Sequence, residues 1–202
     1  MIIKYKTQEQ VNSILIKKNI GNVVPKYLDR INSDKKILFV FDKNVSKNLL
    51  DNIFFSLKLN GFKIYKIKMD GLKHNKNEKY LFRLIDSLIE KKFTKNSILL
   101  SCGGGVIGDL SALASSLYLR GLNYCHIPTT ITSIVDSCIG GKTAINYKDI
   151  INSVGNYYHP KIVFIFDEII KKMPNREFLS GIPEILKCGV IKKNKILKIL
   201  IN

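Results

Sequence analysis

Ser101-Cys102-Gly103-Gly104-Gly105-Val106-Ile107-Gly108-Asp109 satisfies G-x-G-x-x-G at Gly103, Gly105 and Gly108, directly after the apolar run Ile98-Leu99-Leu100. Such a run reads as a strand covered on both faces, and Val106 to Leu119 reads as a helix of small residues ended by Gly121. Strand, glycine turn and helix in that order make a phosphate cradle. With no side chains in the way, backbone N–H groups approach a pyrophosphate, and the helix N-terminus favours its charge. A tight strand-to-helix turn needs glycines anyway, so the pattern alone leaves dinucleotide binding open. The ordinary fingerprint also wants an acid about 20 positions on, for the ribose hydroxyls. Pro128-Thr129-Thr130 stands there instead, and Asp42 is the alternative acid.

Working outward, Ile2 to Lys6 and Ser13 to Lys18 predict a hairpin, followed by a short helix with Pro25 near its first turn. Ile37 to Phe41 is a second doubly buried strand. Val45 to Leu59 has helical spacing and stops at Asn60-Gly61, and Phe62 to Met69 alternates as a strand. Lys79 to Lys91 is an amphipathic helix with Leu81, Leu84, Ile85, Leu88 and Ile89 on one side. Tyr124 to Ile127 and Ile162 to Phe166 are further strands, and from Asn175 onward the pattern is helical. The alternation predicts an α/β fold, a doubly wound, mostly parallel Rossmann-like sheet over residues 1–172. The beginning of an all-helical domain follows over 173–202.

A chain of 202 residues with 46% hydrophobic residues packs a core without a disulfide or metal staple. No apolar run approaches the ~18 residues of a membrane span, and the N-terminus has no signal-peptide core, so a soluble cytoplasmic protein is expected. Cys102, Cys125, Cys138 and Cys188 are widely spaced and read as buried small hydrophobes in a reducing compartment. The 33 basic and 16 acidic side chains leave a net charge of +17. The lysines are spread along the whole chain and form no single stripe, which argues against a nucleic-acid binder. The field still speeds encounter with anionic small molecules.

The longer string decides the reading. The glycine turn, Arg120-Gly121, Pro128-Thr129-Thr130 and Val135-Asp136-Ser137-Cys138-Ile139-Gly140-Gly141-Lys142-Thr143-Ala144 together resemble the 3-dehydroquinate synthase family of sugar-phosphate cyclases. The likeness continues through Pro174-Asn175-Arg176-Glu177 to Pro183-Glu184-Ile185-Leu186-Lys187-Cys188-Gly189. It implies conversion of a heptulosonate 7-phosphate to 3-dehydroquinate in the shikimate pathway, towards chorismate and the aromatic amino acids, by a lyase that uses NAD and zinc (or cobalt). Another sugar-phosphate cyclase, or a truncated remnant without activity, stays open as an alternative.

The resemblance places NAD contacts on Asp42 and Asn44, and on Gly71, Leu72, Lys73, His74, Asn75 and Lys76. Further contacts fall on Gly105, Val106, Ile107, Gly108 and Asp109, on Thr129, Thr130 and Lys142, and on Ile169, Ile170, Lys171 and Lys172. It implies that Asp136, Lys142, Asn152 and Lys187 face the substrate, and that Arg120 reaches the substrate phosphate of a neighbouring subunit in a homodimer. Glu184 matches the carboxylate metal ligand, while the family's two histidine ligands fall beyond Asn202. His74, His126 and His159 are poorly placed to replace them, so the metal site of this chain is expected to be incomplete. A surface ion pair is the alternative reading of Glu184 and Lys187 at i, i+3, and a buried capping residue that of Asp136.

Two departures stand out. Lys73 occupies the place of the family's ribose-binding glutamate, a change expected to cost about 1.5–3 kcal/mol, or about ten- to a hundredfold in NAD affinity. Ile151 replaces a cofactor-facing lysine ahead of Asn152.

Overall fold

The computed structural model describes residues 1–7, 11–192 and 194–201; residues 193 and 202 of the expected helical segment lie outside the described residues. A seven-stranded sheet runs in the order β1-β2-β9-β6-β5-β3-β4. Its strands are β1 (Ile2–Lys6), β2 (Val11–Lys17), β3 (Lys36–Asp42), β4 (Lys63–Met69), β5 (Ile98–Gly103), β6 (Asn123–Pro128) and β9 (Ile162–Phe166). Only β1 runs antiparallel, against β2; the other neighbours pair in parallel. The expected doubly wound sheet is present.

Alternation along the buried strands sorts the core into two layers. Ile37, Phe39, Ile98, Leu100, Phe164 and Phe166 point to one face, where α1 (Val23–Leu28) and α2 (Lys47–Leu59) cover them with Val24, Leu50, Ile53 and Leu57. Leu38, Val40 and Leu99 point the other way, beneath Leu84 and Leu88 of α3 (Glu78–Glu90) and Ile107, Leu110 and Leu113 of α4 (Gly105–Leu117). Right-handed crossovers require this division. Connections that step from β2 through β3 to β4 lie on one face, and those that step back from β4 through β5 to β6 lie on the other. The direction reverses between β3 and β5, which opens a crevice at the carboxyl ends of those strands.

The lysines of the edge strand β4 (Lys63, Lys66 and Lys68) are exposed, which blunts the edge against pairing with another chain. Between β6 and β9 the connection is irregular. A single π-helical turn spans Ser133–Ser137, and a separate two-stranded sheet follows, β7 (Lys142–Tyr147) with β8 (Ile150–Tyr157). Beyond β9 come α5 (Asp167–Lys171), α6 (Asn175–Lys192) and α7 (Asn194–Ile201). Gly181 lets α6 lie against the side chain of Ile131, where any Cβ would collide. One cysteine differs from expectation: Cys102, Cys125 and Cys138 are buried, but Cys188 is exposed, on the uncovered side of α6. Among the described residues no helix is long and apolar enough to cross a membrane.

A buried polar chain ties the central strands to α4. His126 is fully buried, with Nδ1 2.6 Å from Ser101 Oγ and Nε2 3.1 Å from Ser133 Oγ. Ser101 Oγ also lies 3.0 Å from the Tyr124 hydroxyl, which donates to the Gly108 carbonyl at 3.1 Å. Burial pushes the His126 imidazole down from 6.5 to about 3, so the folded protein holds it neutral. The unfolded chain takes up a proton near pH 6.5, whereas the folded chain does so only near pH 3. Stability is therefore lost as pH falls through that window, by about 1.4 kcal/mol per pH unit. Urea unfolding at pH 7, 6 and 5 is expected to show a steeper loss for the wild type than for His126→Gln; parallel pH profiles would contradict the assignment.

Candidate functional site

The crevice at the strand reversal has a volume of about 810 Å³ and is built from segments that follow the carboxyl ends of five parallel strands. Asp42 ends β3 and Asn44 follows it, Gly71, Leu72 and Lys73 come after β4, and Gly104, Gly105, Val106 and Ile107 after β5. Thr129 and Thr130 come after β6, and Ile169 and Lys172 after β9. The structure thus brings together many of the residues expected to contact a cofactor.

The glycine turn opens α4 on bare backbone. Gly104 caps α4, and the first helical bond runs from the Gly108 N–H to the Gly104 carbonyl, so the N–H groups of Gly105, Val106 and Ile107 precede it. A Cβ on Gly105 would lie 3.2 Å from Ser137 Oγ, and one on Gly104 would lie 3.2 Å from Thr130 Cγ2. The cradle is shaped for bare backbone. Asp42 Oδ1 accepts the Asn44 N–H at 2.9 Å, while Oδ2 lies against Gly71 at the crevice wall.

Other expected residues sit elsewhere. Lys76 turns away from the crevice towards α4, its Nζ 2.5 Å from Asp109 Oδ2 and 2.5 Å from Asn152 Oδ1. Burial raises the Asp109 carboxyl above its usual range; the Lys76 ammonium opposes the rise, and the charge of Asp136 adds to it. Lys142 is exposed at the rim of a cavity of about 10 Å³ shared with Gly108, Asp109, Ser137 and Gly141. Lys187 donates to Glu184 and stands 3.9 Å from Asp136, and the Glu184 hydrogen bond holds its ammonium above the usual lysine range. With side chains this exposed, the ion pair contributes little stability.

Asn75 is buried and donates to the Asp70 carbonyl at 3.0 Å, and His74 is exposed. Gly108 lies under the Tyr124 hydroxyl, and Ile170 packs beside Ile14 and Val163 rather than on the crevice. Lys171 is exposed. Arg120 is not brought to this site. It lies beyond the far end of α4, about 20 Å from the glycine turn at 1.5 Å per residue.

Sequence reasoning missed Ser46 ahead of α2, Asn48 and Asn52 within it, and Glu168, Met173 and Glu177, all of which line the crevice. Ser46 carried a readable signal: it caps α2 by accepting the Leu49 N–H. Glu168 carried none, because its role depends on a distant partner, the Ile20 N–H.

A family model described as 3-dehydroquinate synthase N-terminal matches residues 66–180. Among curated proteins, the chain is 37% identical to a 3-dehydroquinate synthase of Prochlorococcus marinus subsp. pastoris, over 94% of this chain and 53% of that one. It is 36% identical to the 3-dehydroquinate synthase of Clostridium kluyveri, over 98% of this chain and 55% of that one. The chain spans about half the length of the curated relatives it matches. Among solved structures, the 2-epi-5-epi-valiolone synthase of Streptomyces hygroscopicus subsp. jinggangensis, with NAD+ and Zn2+ bound, superposes with a TM-score of 0.83 at 24% identity. That match covers 95% of this chain and 52% of the other, and it shows a shared fold.

The Lys76–Asp109 pair yields a test. Lys76→Met leaves a mostly buried carboxylate unpaired and is expected to cost on the order of 3 kcal/mol at neutral pH. The loss should shrink in acid, where Asp109 takes up a proton. Chemical denaturation of Lys76→Met, Asp109→Asn and the double variant checks this; a double variant no more stable than Lys76→Met would refute the coupling.

Proposed function

Because the chain belongs to the 3-dehydroquinate synthase family, we propose that it carries the NAD-holding half of that enzyme. The reaction converts 3-deoxy-D-arabino-heptulosonate 7-phosphate to 3-dehydroquinate and phosphate. The observation that carries the reading is the crevice itself, where the glycine cradle, Asp42, Gly71 to Lys73 and the Thr129-Thr130 pair converge at the strand reversal. Bound there, NAD supplies a reversible hydride acceptor, so that oxidation, phosphate elimination, reduction and aldol closure leave no net redox change.

The chain's own residues bind and orient. The N–H groups of Gly105, Val106 and Ile107 would hold the pyrophosphate, and Asp42 would accept a ribose hydroxyl. Lys142, standing after two glycines, offers its ammonium to the substrate, with Asn152 and Asp136 as hydrogen-bonding partners. Lys187 stands 3.9 Å from Asp136, and its ammonium stabilises departing phosphate.

Glu184 is the carboxylate a zinc or cobalt ion would take. Among the described residues no cluster of three or more His, Cys, Asp or Glu is arranged to hold a metal, and a catalytic zinc takes about three protein ligands. The residues present do not make a metal site by themselves, so no step is assigned to one.

Arg120 cannot reach the crevice of its own chain from the far end of α4. Its exposed turn, with Leu119 and Arg120 both in the left-handed region, suits delivery to a second copy, so a homodimer is part of the proposal. The free, buried thiols of Cys102, Cys125 and Cys138 are in keeping with a cytoplasmic enzyme.

Isothermal calorimetry with NAD+ tests the reading. Binding is expected for the wild type, and Lys73→Glu is expected to tighten it about ten- to a hundredfold by restoring an acceptor for the ribose hydroxyls. Unchanged or weaker binding in the variant would remove the argument for that loop position; no binding in either protein would remove the cofactor assignment.

A further inference from the structure

The hairpin of β7 and β8 has few means of holding its shape. Every residue of β8 is exposed, and on β7 only Thr143 and Ile145 are buried. Two-stranded hairpins are marginal by themselves. This one also carries three non-glycine residues in the left-handed region: Lys148 (φ 46°) and Asp149 (φ 63°) at its tip, and Asn152 (φ 55°).

Asn146 supplies the missing anchor. It sits where the ladder slips between Ile145 and Tyr147, so its backbone is released from regular pairing. Its N–H donates to the Lys76 carbonyl at 2.8 Å, and its Nδ2 donates to the Lys73 carbonyl at 3.4 Å. Its Oδ1 accepts the Asn152 N–H at 3.0 Å. Lys76 Nζ then donates to Asn152 Oδ1, so Asn152 is held by the main chain through Asn146 and by its side chain through Lys76.

We propose that Asn146 is a positioning residue that joins the crevice loop, residues 71–76, to Asn152, so that whatever orders the loop also sets Asn152. The proposal deepens the function above and rests on it for the identity of the ligand; the linkage itself is a property of the free chain. Leu72 and Lys73 form the crevice wall, while Asn152 lies on the other side of the Lys76–Asp109 pair. A ligand pressing on residues 71–73 therefore acts through the carbonyls of Lys73 and Lys76 on the residue that fixes Asn152.

Amide hydrogen exchange on the whole chain tests this without an activity assay. In the free protein Asn146→Ala is expected to speed exchange at least tenfold both in residues 71–77 and in 142–157. Asn146→Asp keeps the acceptor for the Asn152 N–H and is expected to restore slow exchange at Asn152 while leaving the Lys73 side loosened. Val154→Thr, at an exposed position of β8 and still β-branched, serves as a hairpin control expected to behave as wild type. Hairpin exchange unchanged in Asn146→Ala, or Asp no better than Ala at Asn152, would overturn the proposal.

With NAD+ added, the wild type should gain protection in both segments, and Asn146→Ala only in 71–77. Equal protection of the hairpin in both proteins would also overturn it. Protection in neither segment of either protein would count against the cofactor assignment alone, the free-chain comparison still deciding the linkage.

Discussion

Everything at the site depends on the parallel pairing of β3, β4, β5, β6 and β9. Parallel strands share a direction, so their carboxyl ends fall along one edge of the sheet, and each must be followed there by a turn. Five such turns converge on one crevice. The two-sided core that holds the strands in register is equally a consequence of parallel pairing, because crossover helices cover both faces. Phe39 and Phe164 on one side and Leu38 and Leu99 on the other therefore act on the site from a distance: they fix the spacing between the glycine turn, Asp42 and the threonine pair.

Legibility in the sequence followed the range of the interactions. β3, β5 and β9 announced themselves as short apolar runs bounded by polar or glycine residues, and α3 by its spacing of leucines. These signals are local, and the main sheet could be drawn from them. The β7–β8 hairpin could not. Its tip is Lys148-Asp149, both with positive φ, in place of the Asn-Gly or Asp-Gly that such a turn favours. β8 has no buried face to impose alternation. Ile145 in the core beneath α4, the hydrogen bond from Lys76 to Asn152, and those of Asn146 to a loop some 70 residues earlier in the chain hold the hairpin. No local pattern encodes a contact of that kind. The same limit hid Glu168, whereas the glycine turn and Asp42 stand at strand ends that local patterns announce, and Thr130 was placed by the family resemblance.

The start of α4 poses an electrostatic question that the structure answers. Its first turn holds no acidic side chain, so the partial positive charge of the helix end faces the crevice undiminished. Asp109 follows about one turn later, and an unpaired carboxylate there would work against an anion bound at the cradle. Lys76 offsets part of that penalty at a separation of 2.5 Å, while burial still holds the Asp109 carboxyl above its usual range. Lys76 can do so only by turning away from the crevice wall, and in turning it reaches Asn152 as well. One side chain thus pairs a carboxylate near the glycine turn and ties the helix to the hairpin. Its replacement should disturb both faces of α4 together, even though no single segment of the sequence contains them both.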